Sequence, residues 1–526
     1  MTQSARARNP ITLDDGPLTI AAIEDVARGG RPVALDIEAR RRLELVRQAV
    51  DAAAHGTEPV YGLNTGFGSL ARARIPPDQV REVQRNLVRS HAAGIGDPLP
   101  ADVVRAMMVI LAASLARGAS GVRPVVVDRI IDLLNHGVIP IVPCRGSVGA
   151  SGDLAPLAHV ALVLIGEGDT LLSSGARASG DEALRRAGLE PLVLEAKEGL
   201  ALINGTHMMS AVGALAVADA ERLQSAAHAA AVMAIDACRA TDAFLDDRLH
   251  AARNQPGQRA VASRLRDLLR GSQIVASHKE HDPRVQDPYC LRAAPQVLGA
   301  CADAIAFVRA VIERELGAIT DNPLVFPRDA GPDEVATATE EGGGHFRADF
   351  ISGGNFHGMP LAIALDLLNI SLCHIAGISE RRTNWLLTAS DSENPINPHL
   401  SPQPGLHSGL MIAQYTAAAC CNELQTLAHP ASVHNIPTSA GMEDYNSMGA
   451  TSALRSRQAV ELARTVVAIE FLVMAEALEY QRPLRSGDGV ERAYDHIRSV
   501  VPRLTVDRPP SPDIAAIARL IERGLA

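Results

Sequence analysis

The pentapeptide Gly149-Ala150-Ser151-Gly152-Asp153 carries what a backbone needs to condense on itself. If the amide nitrogen of Gly152 reaches the carbonyl carbon of Ala150, a five-membered ring closes across Ser151. Glycine suits the attacking position because it lacks the Cβ that would crowd the approach. Alanine is small enough to leave the attacked carbonyl open. Ser151 can then lose its hydroxyl as water, leaving an exocyclic methylene conjugated to the ring. The product, a 4-methylidene-imidazol-5-one, is a strong electrophile formed from Ala150-Ser151-Gly152 with no external cofactor. Asp153 is placed to act as acid or base in the dehydration. The same residues would also suit an ordinary helix start, with Ser or Asp capping Leu154-Ala155-Pro156.

Other chemistries are weaker. His278-Lys279-Glu280-His281 could chelate a metal on a helix, but no third ligand of suitable spacing accompanies it, so no metal is expected. The glycines of 146–152 are not followed by the Gly-Lys-Ser/Thr of a phosphate loop. Seven cysteines, odd in number and without Cys-x-x-Cys spacing, read as reduced thiols of a cytoplasmic protein. The net charge of −10 argues against nucleic acid, whose binding needs clustered positive charge. The first residues contain no secretory apolar core. No uninterrupted apolar run reaches the roughly 18 residues of a membrane span.

The elements that must position this chemistry are helical. Apolar residues make up 47% of the 526-residue chain, with only 1 Trp, 6 Tyr and 8 Phe; such a core favours close-packed helices. Helical patterns run over 38–54, 77–93, 100–118, 124–136, 296–317, 359–388 and 409–428. The stretch 206–255 contains no Pro and a single Gly, and 451–482 contains neither. Residues 462–478 are apolar almost all round, the mark of a helix buried in a bundle, and Arg457, Glu461 and Arg464 fall on one face suited to ion pairing. Helices near 30 residues, about 45 Å long, are too long for one subunit to cover and predict a multi-chain bundle. The Gly/Pro-rich stretch 137–156 lies between apolar helices as an irregular segment inside a core. Residues 168–200 read as looser, and 326–350 as a polar, mobile surface insertion. The fold expected is mainly α: an N-terminal α-rich part, 1–205, carrying the Tyr61 loop and the ring-forming segment, then a long-helix bundle with C-terminal helices over 206–526.

The longer string GSVGASGDLAPLAHVALVLIGEG resembles the signature of the aromatic amino-acid ammonia-lyase family, which includes histidine, phenylalanine and tyrosine enzymes. YGLNTGFG, NLVRSHAAGIG, ALINGTH, VQDPYCLRAAPQV, TDNPLVF, SGGNFHG, SERR, SGLMIAQYTAA and LAHPAS extend the resemblance from about 15 to 510. It implies a homotetramer whose sites are built from several chains. It implies that Tyr61, opening YGLNTGFG, removes a β-proton from the substrate; without that context Tyr61 would read as a hydrogen-bonded loop tyrosine. Asn204 is implied to hold the electrophile's carbonyl or the substrate amine, although Asn-Gly is also a common turn. Tyr289 is implied to lie near the electrophile, and Arg292 to clamp the substrate carboxylate in bidentate geometry. Gln286, Asn322 and Phe356 match further pocket positions. Cys290 stands where the family commonly has Ser, a change that leaves catalysis in place.

Ser90-His91 and Glu443 resemble histidine-specific members, where His91 and a carboxylate would partner an imidazole ring. The substrate so implied is L-histidine, converted to trans-urocanate and ammonia. Gly441, Met442, Tyr445 and Asn446 depart from the histidine pattern, and PGLHSGLMIAQY (404–415) looks more like tyrosine or phenylalanine members. A tyrosine/phenylalanine ammonia-lyase or an aromatic 2,3-aminomutase is therefore the alternative.

Overall fold

The computed structural model describes residues 9–70, 72–172, 174–280, 282–328 and 348–525. It is mainly helical, as the composition implies, with short two- and three-stranded sheets. Most of the 326–350 insertion lies outside the described residues. Its flanks are not loop but paired antiparallel strands, Leu324–Pro327 with Ala348–Ile351.

The described chain divides into two compact units. The first comprises residues 1–215, 310–365 and 431–454; the second comprises 216–309, 366–430 and 455–526. The sequence reading placed one cut at 205/206. Four of the boundaries between the compact units fall inside the long helices His207–Ala237, Ala294–Glu315, Met359–Thr388 and Gly449–Ala477. The helix His207–Ala237, 31 residues and about 46 Å long, carries one of those boundaries within it.

In the first unit, Ala101–Ala116 and Pro124–His136 form where the apolar runs predict them. Between the second of these and the helix Leu154–Leu164 runs the Gly/Pro-rich segment, with short strands at Ile139–Pro140 and Pro143–Arg145. Residues 168–200 are more ordered than their composition suggests: Asp169–Leu171 pairs with Ile139–Pro140 and with Arg177–Ser179, and the helices Gly180–Arg186 and Glu198–Ile203 follow.

In the second unit, residues 463, 466–475, 477 and 478 are buried, as their all-round apolar character requires. Arg457 pairs with Glu461 at 4.0 Å, but Arg464 turns to Asp219 and Glu522 instead. The helical run from Thr206 stops at Ala237, well short of Gln255. Arg284 donates to the carbonyls of Cys238 and Arg239, and the Thr241 N–H donates to Asp287 Oδ1 at 3.0 Å. These groups satisfy the helix end that Gly or Pro would otherwise mark. By length and mean hydropathy, Tyr289–Glu315 and Met359–Thr388 could cross a membrane, a possibility that counting uninterrupted apolar residues missed. In the latter, 67% of the apolar window is buried inside the protein.

Candidate active site

The tripeptide Ala150-Ser151-Gly152 lies in the first unit, with Ala150 and Gly152 buried and Ser151 half-buried. Gly152 has φ +73°, and a Cβ built on it would stand 2.1 Å from the carbonyl oxygen of Gly205. Only glycine fits there. A parallel bridge joins Gly152 to Gly205. Its bonds run from the Gly205 N–H to the Ser151 carbonyl (3.2 Å) and from the Asp153 N–H to the Gly205 carbonyl (2.8 Å). The Gly152 N–H takes no part in this bridge, which suits an amide that must attack Ala150. These features fit the group that the sequence implies.

Asp153 occupies the cap position of Leu154–Leu164 without capping it. It is completely buried. Oδ1 receives Ser147 Oγ at 2.8 Å, and Oδ2 receives the Met208 and Met209 N–H groups at 2.9 Å each. The carboxyl thus ties the tripeptide loop to the first turn of His207–Ala237. Burial pushes its pKa up to about 6. The acid–base partner that the sequence offered for Ser151 is therefore engaged elsewhere.

Ser151 instead meets Glu443: Ser151 Oγ donates to Glu443 Oε1 at 2.8 Å. The other carboxyl oxygen, Oε2, receives Thr438 Oγ1 at 2.9 Å. Thr438 Oγ1 in turn receives Asn446 Nδ2 at 3.2 Å, so its own hydrogen is directed to the carboxyl. The same segment is pinned along the tripeptide loop. The Met448 N–H donates to the Val148 carbonyl (2.9 Å), and Ser447 Oγ donates to the Gly149 carbonyl (3.0 Å).

The remaining residues of the first unit gather around these loops. Tyr61 is half-buried; its phenol oxygen accepts the Gly68 N–H at 3.2 Å, and its ring meets Phe67 edge-on. A Cβ on Gly68 would lie 3.1 Å from Ser439 Oγ, so the Tyr61 loop rests against the turn that presents Glu443. Asn204 is buried and donates to Asp321 Oδ1 (3.2 Å) and to the Asn322 carbonyl (3.1 Å). Asn322 Oδ1 accepts the Gly353 N–H at 2.8 Å. That bond brings the segment of Phe356 alongside, and two residues on the Gly358 N–H donates to the Gly149 carbonyl at 3.4 Å. His91 ends the helix Val80–His91. Its Nδ1 lies 2.9 Å from the Leu87 carbonyl and 3.1 Å from Ser90 Oγ. A proton on Nδ1 satisfies that carbonyl and leaves Nε2 as an acceptor.

Gln286, Tyr289 and Arg292 belong to the second unit. Gln286 and Tyr289 are exposed, and the Arg292 guanidinium stacks 4.7 Å over the Tyr289 ring. Its Nε is buried and has no hydrogen-bond partner among the described residues. His281 of the proposed chelate lies outside the described residues. His278 Nδ1 is engaged by the Ile274 carbonyl.

Sequence reasoning missed Ser147, Thr438, Ser447 and the completely buried Lys197 that pairs with Asp321, and it marked Asn446 only as a departure from the histidine pattern. Lys197 follows Glu195-Ala196 in an unremarkable stretch, and nothing local marks it. Buried without Asp321, the lysine would be costly.

The model of the family described as aromatic amino acid lyase matches residues 18–499. A histidine ammonia-lyase of Anaeromyxobacter sp. (strain K) is 49% identical over 98% of this chain and 99% of its own. The crystal structure of histidine ammonia-lyase from Trypanosoma cruzi superposes with a TM-score of 0.88 at 37% identity, covering 98% of this chain and 94% of that one. A tyrosine aminomutase from Streptomyces globisporus does so with a TM-score of 0.88 at 33% identity, covering 98% and 97%. Matched in sequence and in fold along nearly its whole length, the chain belongs to the aromatic amino acid lyase family and is a carbon–nitrogen lyase.

Proposed function

We propose that this protein is a histidine ammonia-lyase that converts L-histidine to trans-urocanate and ammonia. The observation that carries the reading is the Glu443 carboxyl held 2.8 Å from the Ser151 hydroxyl. An imidazole N–H bound beside the tripeptide would find an acceptor there. A phenyl ring would leave Oε1 without a donor, at a cost of roughly 1–3 kcal/mol. The high identity to enzymes bearing that name supports the same choice.

Ala150, Ser151 and Gly152 would form the methylidene-imidazolone, which supplies an electron-poor alkene to receive the substrate amine. Tyr61 would take the β-proton. Its phenol oxygen already accepts a backbone N–H, a bond that strengthens when that oxygen carries charge. Asn204 and Asn322 would shape the amine side of the pocket and Phe356 its wall. Ser90 would hold the His91 ring, whose Nδ1 lies 3.1 Å from Ser90 Oγ, at the imidazole end of the pocket. Gln286, Tyr289 and Arg292, with Gln286 and Tyr289 exposed in a single chain, would complete the site of another copy, and Arg292 would clamp the substrate carboxylate. On this reading the enzyme works as a homotetramer in the cytoplasm, without metal, nucleic acid or membrane.

A second reading, an aromatic 2,3-aminomutase or a tyrosine/phenylalanine ammonia-lyase, draws on the likeness to the tyrosine aminomutase fold and on residues 404–415. Purified protein incubated separately with histidine, tyrosine and phenylalanine decides between them. Release of ammonia and an unsaturated acid from histidine alone is expected. A β-amino acid or a cinnamate from the aromatic substrates, with histidine untouched, would overturn the assignment.

A further inference from the structure

Glu443 faces Ser151 before any substrate is present. Its Oε1 lies 2.8 Å from the hydroxyl oxygen that must leave during ring maturation. The nearer carboxyl in sequence, Asp153, has both oxygens committed to Ser147 and to the amides of Met208 and Met209. We infer that Glu443 is the catalytic acid of the chain's own maturation, protonating the departing hydroxyl of Ser151. The inference rests on the reading of Ala150-Ser151-Gly152 as ring-forming, and it adds a role to Glu443 separate from binding substrate.

The bookkeeping of atoms closes without an oxidant. In the first condensation the Gly152 nitrogen bonds to the Ala150 carbonyl carbon. The Ala150 oxygen leaves as water with the N–H hydrogens of Gly152 and Ser151, leaving a C=N bond. In the second, Ser151 gives up its Cα proton, the Cβ–Oγ bond breaks and Cα=Cβ forms. The Cα proton passes to the Glu443 carboxylate, whose Oε1 then delivers it to Oγ across the observed 2.8 Å separation as the hydroxyl departs. The carboxylate is regenerated in the step, free to accept a hydrogen bond from substrate.

The surroundings of the carboxyl suit a directed proton donor. Thr438 Oγ1 holds Oε2 at 2.9 Å, and the buried Asn446 fixes Thr438. With Oε2 accepting from Thr438, a proton on the carboxyl belongs on Oε1, the oxygen that faces Ser151. The bonds of Ser447 to Gly149 and of Met448 to Val148 keep this segment in register with the tripeptide. Thr438 is thus a positioning residue.

The test is intact mass, followed over time after induction of the full-length protein, for the parent, Glu443→Gln, Thr438→Val and Thr438→Ser. The parent should lack two waters. Glu443→Gln should accumulate chains lacking one, with loss of the second slowed about 100-fold or more. Thr438→Val should slow the second loss by about tenfold, and Thr438→Ser should restore it; this pair decides the matter if Glu443→Gln does not fold. A folded Glu443→Gln chain reaching the two-water deficit with the parent's time course overturns the inference. So does a folded one that loses neither water, because Glu443 would then act on ring closure. A parent that lacks no water at all would sink the proposed function as well, so the two failures are told apart.

Discussion

Oδ2 of Asp153 stands 2.9 Å from the amide nitrogen of Met209, and the two belong to segments 56 residues apart. Burial has raised this carboxyl from the ordinary 3.8 to about 6. The folded chain therefore binds the proton more tightly than the unfolded chain does. That contribution to stability is complete below about pH 4 and is lost as the pH rises through about 6, amounting to roughly 3 kcal/mol. Asp153→Asn keeps an acceptor for the amides but removes the titration. Melting temperatures of parent and variant across that window should diverge as the pH falls, with the flatter profile belonging to the variant. Parallel profiles would refute the argument.

Removing the hydroxyl of Ser151 leaves nothing to eliminate. Ser151→Ala should lower kcat by at least about 1,000-fold, and its intact mass should never show the second water lost. Near-normal turnover by a homogeneous preparation of the variant would contradict the assigned chemistry.

Glu443→Gln should lower kcat/KM for histidine by about 10–100-fold once fully matured chains are isolated. Any activity toward tyrosine should change less, because a phenol does not need a carboxylate at that place. Steady-state kinetics on both amino acids give the comparison. Equal losses would remove the main physical support for histidine.

Gly152→Ala asks a Cβ to sit 2.1 Å from the Gly205 carbonyl oxygen at φ +73°. The strain of the backbone alone is about 1–2 kcal/mol, and the clash adds to it. The expected outcome is a lowered melting temperature together with a mass that lacks no water. A stable, dehydrated variant would show that the loop can rearrange.

In the second unit, Arg382 and Glu470 are completely buried and joined by two bonds, Nε to Oε1 at 2.5 Å and Nη2 to Oε2 at 2.8 Å. Replacing Glu470 by Ala strands a guanidinium in the core and should cost about 3–5 kcal/mol. Denaturant midpoints measure this directly. A change of a few tenths would mean that water reaches the arginine.

The long apolar helices were legible because their periodicity is unbroken: Met359–Thr388 falls on the residues that the pattern marks. The end of the helix at Ala237 was not, because its stop lies in Arg284 and Asp287, distant in sequence. The short strands were equally silent; Ile11–Leu13 pairs with Val33–Leu35 over too few residues to show alternation. At the site, the Ser151 tripeptide was readable because its chemistry is local. Its meeting with Glu443 crosses 292 residues, and only folding brings the two together. Thr438 gave no sign, and Asn446 stood out only as a departure from the histidine pattern, since their task is to orient another side chain.

The two amides that Asp153 receives open a helix of 31 residues. First turns ordinarily fray, and their amides trade hydrogen for deuterium quickly. Here Met208 and Met209 should exchange about as slowly as the helix middle, opening only when a large part of the protein does. The tripeptide loop, fastened to that turn, inherits the same reluctance to breathe, so heat should loosen it only in concert with the unfolding of the long helix that it caps.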